Sequence, residues 1–341
     1  MSIAILGIDL AKSIFHLYGV DSRGKKVFRK KLYRAEVLSV VANLGKCRIV
    51  LEACGGANYW AREFERVGHQ VDLISPQYVK PFVQRNKTDW KDAEAITVAA
   101  RQPHMRYVPK RSEAQQDIQN IHRIRRRLVK ARTALVNEIR GLLMEYGIVF
   151  PQGRKAFEKT FIERFSKHEQ TLSTLTVQTF YDLWHEYHDI DEKVIKYDKL
   201  LKQYATDHPV CARLQTVPGI GPLTATAIVA KAGDMTVFKN GREFSAWLGL
   251  TPREYSTGGK QTLLGISKRG DAYIRTLLIN GARVTLQYSS KKTDQLSVWA
   301  TNLKERKGMN KASVALANKN ARIIWQLLAK QQEYQTFPIA A

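Results

Sequence analysis

Residues 3–9, 13–20 and 25–32 are three short apolar-rich runs, the second and third separated by Asp21-Ser22-Arg23-Gly24. This spacing constrains the fold more than any other feature of the chain. Runs of that length joined by tight turns form an antiparallel meander. Residues 35–44 then read as a helix, 47–52 as a buried strand, and 57–67 as a helix bearing Tyr59, Trp60 and Phe64. Residues 70–75 read as a strand stopped by Pro76, and a helix is predicted from about 89 to 101, ending before Pro103. Three strands followed by helix–strand–helix–strand–helix require a layered α/β domain.

Downstream the period changes from two to three and four. Residues 113–146 read as one long helix, with Ile121, Ile124, Leu128, Ala131, Leu135, Ile139 and Leu142 on a heptad-like stripe. A second covers about 172–205, striped by Phe180, Leu183, Tyr187, Ile190, Val194, Tyr197, Leu201 and Tyr204. The stripes fit a helical hairpin or a coiled-coil dimer, and the aromatic content favours thick packing. After Pro209 the chain reads as mostly helical and basic: Leu223–Ala232, Phe244–Leu248, Ala272–Leu286, Leu296–Lys304 and Ala312–Lys330. Residues 251–270 lie between these helices as a Gly-rich polar loop. The expected domains are 1–110 (α/β), 111–208 (long helices) and 209–341 (helical, with the Gly-rich loop).

The 341 residues include 55 Lys and Arg against 31 Asp and Glu, a formal charge of +24. Such an excess predicts a polyanionic partner, nucleic acid first. A membrane surface fits less well, since no basic amphipathic anchor stands out. The N-terminal apolar run is interrupted by Asp9 and Lys12 and reads as a strand, not a signal peptide, and no membrane span is expected. Cys47, Cys54 and Cys211 lack metal-ligand spacing, which points to a reducing cytoplasm. The eight histidines form no HxH or HExxH pattern, so a zinc hydrolase is disfavoured.

In so basic a chain, acids at strand ends need a reason. Asp9 closes Ile5-Leu6-Gly7-Ile8-Asp9, Glu52 closes Ile49-Val50-Leu51-Glu52, and Asp89 and Asp92 open the helix that follows Lys87-Thr88. A lone Asp at a strand end is usually a cap. Together, two rigid strand-end carboxylates and two at i and i+3 on one helix face suit divalent metal held against phosphate. The strand order is also that of an RNase H-like domain, although other α/β folds share it.

Three further features fit nucleic acid. Pro218-Gly219-Ile220-Gly221 between helices has the helix-hairpin-helix pattern, in which backbone N–H groups of Gly219 and Gly221 face phosphate; a plain tight turn is the alternative. Tyr255-Ser256-Thr257-Gly258-Gly259-Lys260 offers a hydroxyl beside glycine and a lysine for phosphate, although the residues alone favour non-covalent phosphate binding or a plain surface loop. Basic clusters at Arg123–Arg127 (Arg125, Arg126 and Arg127 foremost), Lys268-Arg269, Arg275, Lys291-Lys292 and Lys304 through Lys311 suit phosphate contacts. Trp247, Trp299, Trp325 and Tyr273 are able to stack bases, with core packing the expected role for most.

Together these residues resemble the DEDD transposases related to the DNA invertase Piv, the insertion-sequence recombinases of the family numbered one hundred and ten, especially its eleven-eleven subgroup. Gly7-Ile8-Asp9-Leu10-Ala11-Lys12, Glu52-Ala53-Cys54-Gly55-Gly56-Ala57 and Lys87-Thr88-Asp89-x-x-Asp92-Ala93 resemble the family's RuvC-like catalytic half. Val217-Pro218-Gly219-Ile220-Gly221, Leu248-Gly249-Leu250-Thr251-Pro252-Arg253 and Ser267-Lys268-Arg269-Gly270 resemble its C-terminal transposase half. The resemblance implies Mg²⁺, two ions per site, on Asp9, Glu52, Asp89 and Asp92, and a covalent phosphoserine link to DNA through Ser256. An ungapped alignment puts the hydroxyl at Thr257, which stays as the alternative. The resemblance also implies donor and target DNA, an element-encoded noncoding bridge RNA, and a dimer or tetramer in which the acids of one subunit meet the serine of another. A RuvC-like structure-specific nuclease using metal-activated water is the main rival, and a non-enzymatic nucleic-acid scaffold the other.

Overall fold

The computed structural model describes residues 2–83 and 88–335, so Lys87 of the third motif lies outside the described residues. The chain divides into two compact units, Met1–Glu113 and Ala114–Ala341.

In the first unit β1 (Ile5–Asp9), β2 (Ile14–Val20) and β3 (Lys26–Tyr33) form the expected meander. They are followed by α1 (Val37–Ala42), β4 (Arg48–Glu52), α2 (Ala57–Arg66) and β5 (Gln70–Ile74). Next come the short α3 (Pro76–Val79), then α4 (Asp89–Ala100) and the two-residue β6 (Tyr107–Val108). The sequence gives no warning of α3 or β6. Among the described residues the sheet order is β3-β2-β1-β4-β5-β6, with β1, β4 and β5 mutually parallel.

Strand periodicity assigns each face of this sheet. Leu6, Ile8, Phe15, Leu17, Ile49, Leu51 and Leu73 share one apolar core with Val37 and Val41 of α1 and Trp60 and Phe64 of α2. The intervening Val50 and Ile74 pack on Ala95, Ile96 and Ala99 of α4. Successive side chains of a strand point to opposite faces. Asp9, two residues after Gly7, and Glu52, two after Val50, therefore project on the α4 side.

The second unit begins with α5 (Glu113–Met144), α6 (Arg154–Ser166) and α7 (Thr174–Asp207). The long helices α5 and α7 pair within the chain, through Arg132 with Asp191 and Arg125 with Asp198. Between them α6, absent from the sequence reading, inserts Phe157, Phe161 and Phe165 into a core shared with Ile139, Leu143, Trp184 and Tyr187. The Phe161 ring stacks on Trp184 with centroids 4.2 Å apart. Leu128, Leu135 and Ile139 of the expected stripe are buried, whereas Ile124 and Leu142 are exposed. The third helix turns the buried face toward Val136 and Leu143, a rotation that a two-helix seam does not describe.

The remaining elements are α8 (Pro209–Gln215), α9 (Pro222–Ala232), α10 (Gly241–Trp247), β7 (Pro252–Glu254), β8 (Leu263–Ile266), α11 (Ala272–Tyr288) and α12 (Gln295–Ala329). Their core gathers Leu214, Ile228, Phe244, Leu278, Leu316 and Ile324. A small cluster of Ile118, Leu201 and Ala230 connects it to α5 and α7. Gly308, at φ 76° and ψ 163°, breaks α12 between the two helices expected there. The segment expected as a loop, 251–270, contains an antiparallel hairpin, β7 with β8. Among the described residues no helix is long and apolar enough to cross a membrane.

Candidate active site

Three of the four acids converge. Asp9 at the end of β1 and Asp89 and Asp92 in the first turn of α4 each offer a carboxylate oxygen, and these oxygens all lie within 4.8 Å of one another. Gly7 makes the convergence possible. A Cβ there would stand 2.6 Å from the Ala93 carbonyl oxygen and 2.7 Å from the Thr97 methyl, so only glycine lets α4 lie this close on β1. Glu52 follows Leu51, the parallel partner of Ile8, and so ends the neighbouring strand beside Asp9. The Cys54 thiol, raised above its usual range by burial and then by the Glu52 and Asp9 carboxylates, senses both acids.

The donor set is oxygen only, which suits a hard divalent cation such as Mg²⁺ or Mn²⁺. Carboxylates this close repel one another unless a cation or proton intervenes. The residues therefore fit the metal that the sequence implies.

One neighbour of the acids escaped the sequence reading. His16 pairs across the sheet with Asp9, and residues directly opposite in an antiparallel pair share a face. Its Nδ1 lies 3.7 Å from Asp89 Oδ2, and its ring meets Trp90 edge-on at 4.6 Å. Burial holds the imidazole below its ordinary pKa, against the pull of Asp89 and with the help of Lys31 and Arg29. The Arg29 guanidinium covers Trp90 at 4.1 Å. A neutral imidazole and a cation thus flank the acids. The signal was available in strand parity, since His16 and Tyr18 fall on the same face, and Tyr18 donates a 3.0 Å hydrogen bond to Glu94 of α4.

Ser256 and Thr257 lie on the exposed tip of the β7–β8 hairpin. Gly258 and Gly259, at φ 56° and 76°, fill both central positions of a turn closed by the Lys260 N–H on the Thr257 carbonyl, 3.0 Å. Two consecutive residues with positive φ are the requirement of a type I′ turn, which explains the paired glycines. The Ser256 hydroxyl donates to Glu254 Oε1 at 2.6 Å, and Gln261 Nε2 donates to the same oxygen at 3.3 Å. Glu254 was not among the expected site residues; its i−2 spacing on a strand was the available clue.

The hairpin is anchored at its base by backbone. Ser267 N–H donates to Thr251 O at 2.8 Å and Lys268 N–H to Gly249 O at 3.1 Å. Gly249 and Gly270 have positive φ, and a Cβ on either would collide with the Arg269 or Trp247 carbonyl. Lys268 itself takes a left-handed φ of 55°. The Arg269 carbonyl accepts from Arg275 Nη1 at 3.4 Å.

The other expected nucleic-acid contacts fare differently. Arg126, Arg127, Lys260, Lys268 and Arg269 are exposed. Arg125 is mostly covered, paired with Asp198 and bonded to the Tyr273 hydroxyl. That hydroxyl lies 3.0 Å from His122 Nδ1, and His122 Nε2 lies 3.0 Å from Thr226 Oγ1. Gly219, at φ 86°, packs against Gly281 of α11, where a Cβ would meet the Gly281 carbonyl at 2.7 Å. Gly221 caps α9 with open space around its Cα. The turn thus serves helix packing at its first glycine, which is half-buried, and leaves the second exposed.

Comparison with known proteins places these features in company. Residues 6–148 match a DEDD family of IS110 type described as Transposase, and residues 211–296 match the Transposase IS116/IS110/IS902 family. The Transposase for insertion sequence element IS1111A of Coxiella burnetii is 46% identical, over 98% of this chain and 92% of its own length. The Probable family 20 transposase of Pseudomonas aeruginosa is 45% identical over 98% and 99%. The Transposase for insertion sequence element IS1328 of Yersinia enterocolitica is 38% identical over 95% and 96%.

Proposed function

The chain belongs to the IS116/IS110/IS902 family of insertion-sequence transposases, and on that premise we propose that it cuts and rejoins DNA through a covalent phosphoserine at Ser256. The observation that carries this reading is the meeting of Asp9, Asp89 and Asp92 within 4.8 Å. The order and directions of strands β1 to β5 support a RuvC-like reading of the first unit.

Asp9, Glu52, Asp89 and Asp92 hold the divalent metal, Mg²⁺ in this proposal. When bound, the metal neutralises charge on the phosphate and on the oxygens that enter and leave. The protein's own groups do the rest. Glu254 takes the Ser256 proton, the Ser256 oxygen bonds to phosphorus, and one phosphoester bond to deoxyribose breaks. The departing sugar oxygen takes up a proton from solvent water. Rejoining reverses these events: a sugar hydroxyl attacks the phosphoserine and gives its proton to solvent, the bond from phosphorus to the Ser256 oxygen breaks, and the proton returns from Glu254 to Ser256. The phosphoester keeps the energy of the broken bond, so no external energy source is needed. A base within hydrogen-bond reach of a hydroxyl contributes about 10²–10⁴ in rate.

The formal charge of +24 supports more than one polyanion: donor and target DNA together with an element-encoded guide RNA. The helices of 111–208 are the proposed dimerisation element. Exposed Ile195 and Leu200 on α7 support that role. The compartment proposed is the cytoplasm.

The test combines protein, that RNA, Mg²⁺ and both DNAs, followed by denaturing electrophoresis and peptide mapping. A DNA adduct on Ser256 is expected. Cleavage that survives undiminished in Ser256→Ala would instead establish an endonuclease using water.

A further inference from the structure

The β7–β8 hairpin also walls a groove of about 1580 Å³, whose other sides are α10 and α12. Its size exceeds the roughly 300–1,000 Å³ of a small-molecule pocket and suits a chain. Arg242, Lys311, Lys319 and Arg322 line it, and no lining residue is Asp or Glu. In a protein that also carries 31 acids, an acid-free groove with four cations selects for a polyanion. Trp299 and Trp325 supply half-buried indoles, and the Lys319 ammonium stands 4.3 Å from the Trp299 ring centroid. Trp325 is fixed in place by its Nε1, which donates to the Phe238 carbonyl at 3.0 Å. Leu263 and Leu264 of β8 line the opposite wall and remain 59% and 46% exposed.

We infer that this groove holds an unpaired stretch of DNA next to the phosphate attacked by Ser256. Cations along the groove follow the phosphates, while the indoles and the exposed leucines receive base faces. Aromatic stacking requires bases free of a duplex partner, which distinguishes the strand from double-stranded DNA. Its identity as DNA rests on the proposed function. β8 is both the groove wall and the return strand of the hairpin that carries Ser256, so a strand lying there continues the one under attack. An acidic peptide would satisfy the cations and leave the stacking surface unexplained.

The test uses the full chain without Mg²⁺ and a twelve-nucleotide oligothymidylate carrying 4-thiothymidine. Photocrosslinks are expected on peptides containing Trp299 or residues 310–326. The double variant Lys311→Glu with Arg322→Glu, both exposed side chains, should lose them and bind at least tenfold more weakly with an unchanged melting temperature. Removing two phosphate contacts should also flatten the log–log salt dependence by about 1.4. Trp299→Phe, a milder change, should reduce the crosslink while keeping the salt slope. Crosslinks confined to other segments, undiminished binding by the double variant, or equal crosslinking to a twelve-base-pair duplex would overturn the assignment. So would oligouridylate outcompeting oligothymidylate for the crosslink, which would make this an RNA groove. The two readings fail separately. Ser256→Ala should keep the crosslink and lose the adduct, whereas a normal adduct in the double variant refutes the groove alone.

Discussion

Gly7 of β1 lies directly beneath Ala93 of α4, so close that a methyl on Gly7 would stand 2.6 Å from the Ala93 carbonyl oxygen. This single missing side chain sets the separation of the strand that ends in Asp9 from the helix that begins with Asp89. Gly7→Val should push α4 outward, destabilise the first unit by about 1–3 kcal/mol through overpacking, and abolish Mg²⁺-dependent strand cleavage. Thermal denaturation and a cleavage assay check both. A valine variant that cuts normally would show that the close contact is irrelevant to the acids.

Metal binding should be visible without any DNA. Titration with Mn²⁺ or Mg²⁺ should raise the melting temperature of the first unit, and EDTA should reverse the rise. At a hundredfold excess over the dissociation constant the gain is about 2.7 kcal/mol. Asp92→Asn should remove most of that increment. Calorimetric titration giving equal heats for Asp92→Asn and the parent would place the cation elsewhere.

The 2.6 Å bond from Ser256 to Glu254 separates two roles. Ser256→Ala should eliminate the protein–DNA adduct. Glu254→Gln should slow its formation by about 10²–10⁴ while leaving affinity for DNA unchanged. Thr257→Val should retain the adduct. An adduct that persists in Ser256→Ala and vanishes in Thr257→Val would move the nucleophile one residue along.

Composite assembly is testable by mixing. Asp9→Asn and Ser256→Ala proteins are each expected to be inactive alone. If acids and hydroxyl are drawn from different subunits, the mixture should form adduct on the Ser256-bearing chain. Peptide mapping of an inactive mixture would show no adduct and would confine the reaction to a single chain.

His122 gives the second unit a pH dependence. Burial, with Arg125 and Lys231 nearby, lowers its pKa from 6.5 to about 4. The folded state thus binds its proton less readily than the unfolded chain. Stability is complete above pH 6.5 and falls as pH drops toward 4, by roughly 3 kcal/mol in total. His122→Gln should flatten that arm. Parallel denaturant curves at pH 7 and pH 4.5 measure the difference; equal losses in variant and parent would count against His122.

Much of the first unit was legible because strand periodicity and turn residues are local. Asp9, Glu52, Asp89 and Asp92 each sit where an apolar run stops or a helix starts; strand parity places the first two and the i, i+3 spacing of a helix the other two. His16 was missed because its relation to Asp9 depends on register, which pairs residues seven apart. Helix α6 was missed although Phe157, Phe161 and Phe165 recur every fourth residue, since Pro151 and Gly153 break the helical pattern just before it. The stripe of α5 was misplaced at Ile124 and Leu142 because a third helix changes which side is covered. Arg125 looked like one more surface cation; only the fold brings Asp198 and Tyr273 to it. The hairpin at 252–266 was hidden because its strands are almost wholly exposed and lack the alternation that marks a buried one.

That exposure has a physical outcome. A two-stranded ribbon by itself is marginally stable in water. This one is clamped at its root by Gly249 and Gly270, yet Pro252 through Gly265 bury almost nothing. In the proposed reaction Ser256 therefore rides on an arm with almost no hydrophobic support of its own, and engagement of a DNA strand, rather than folding of the protein, would complete the reactive geometry.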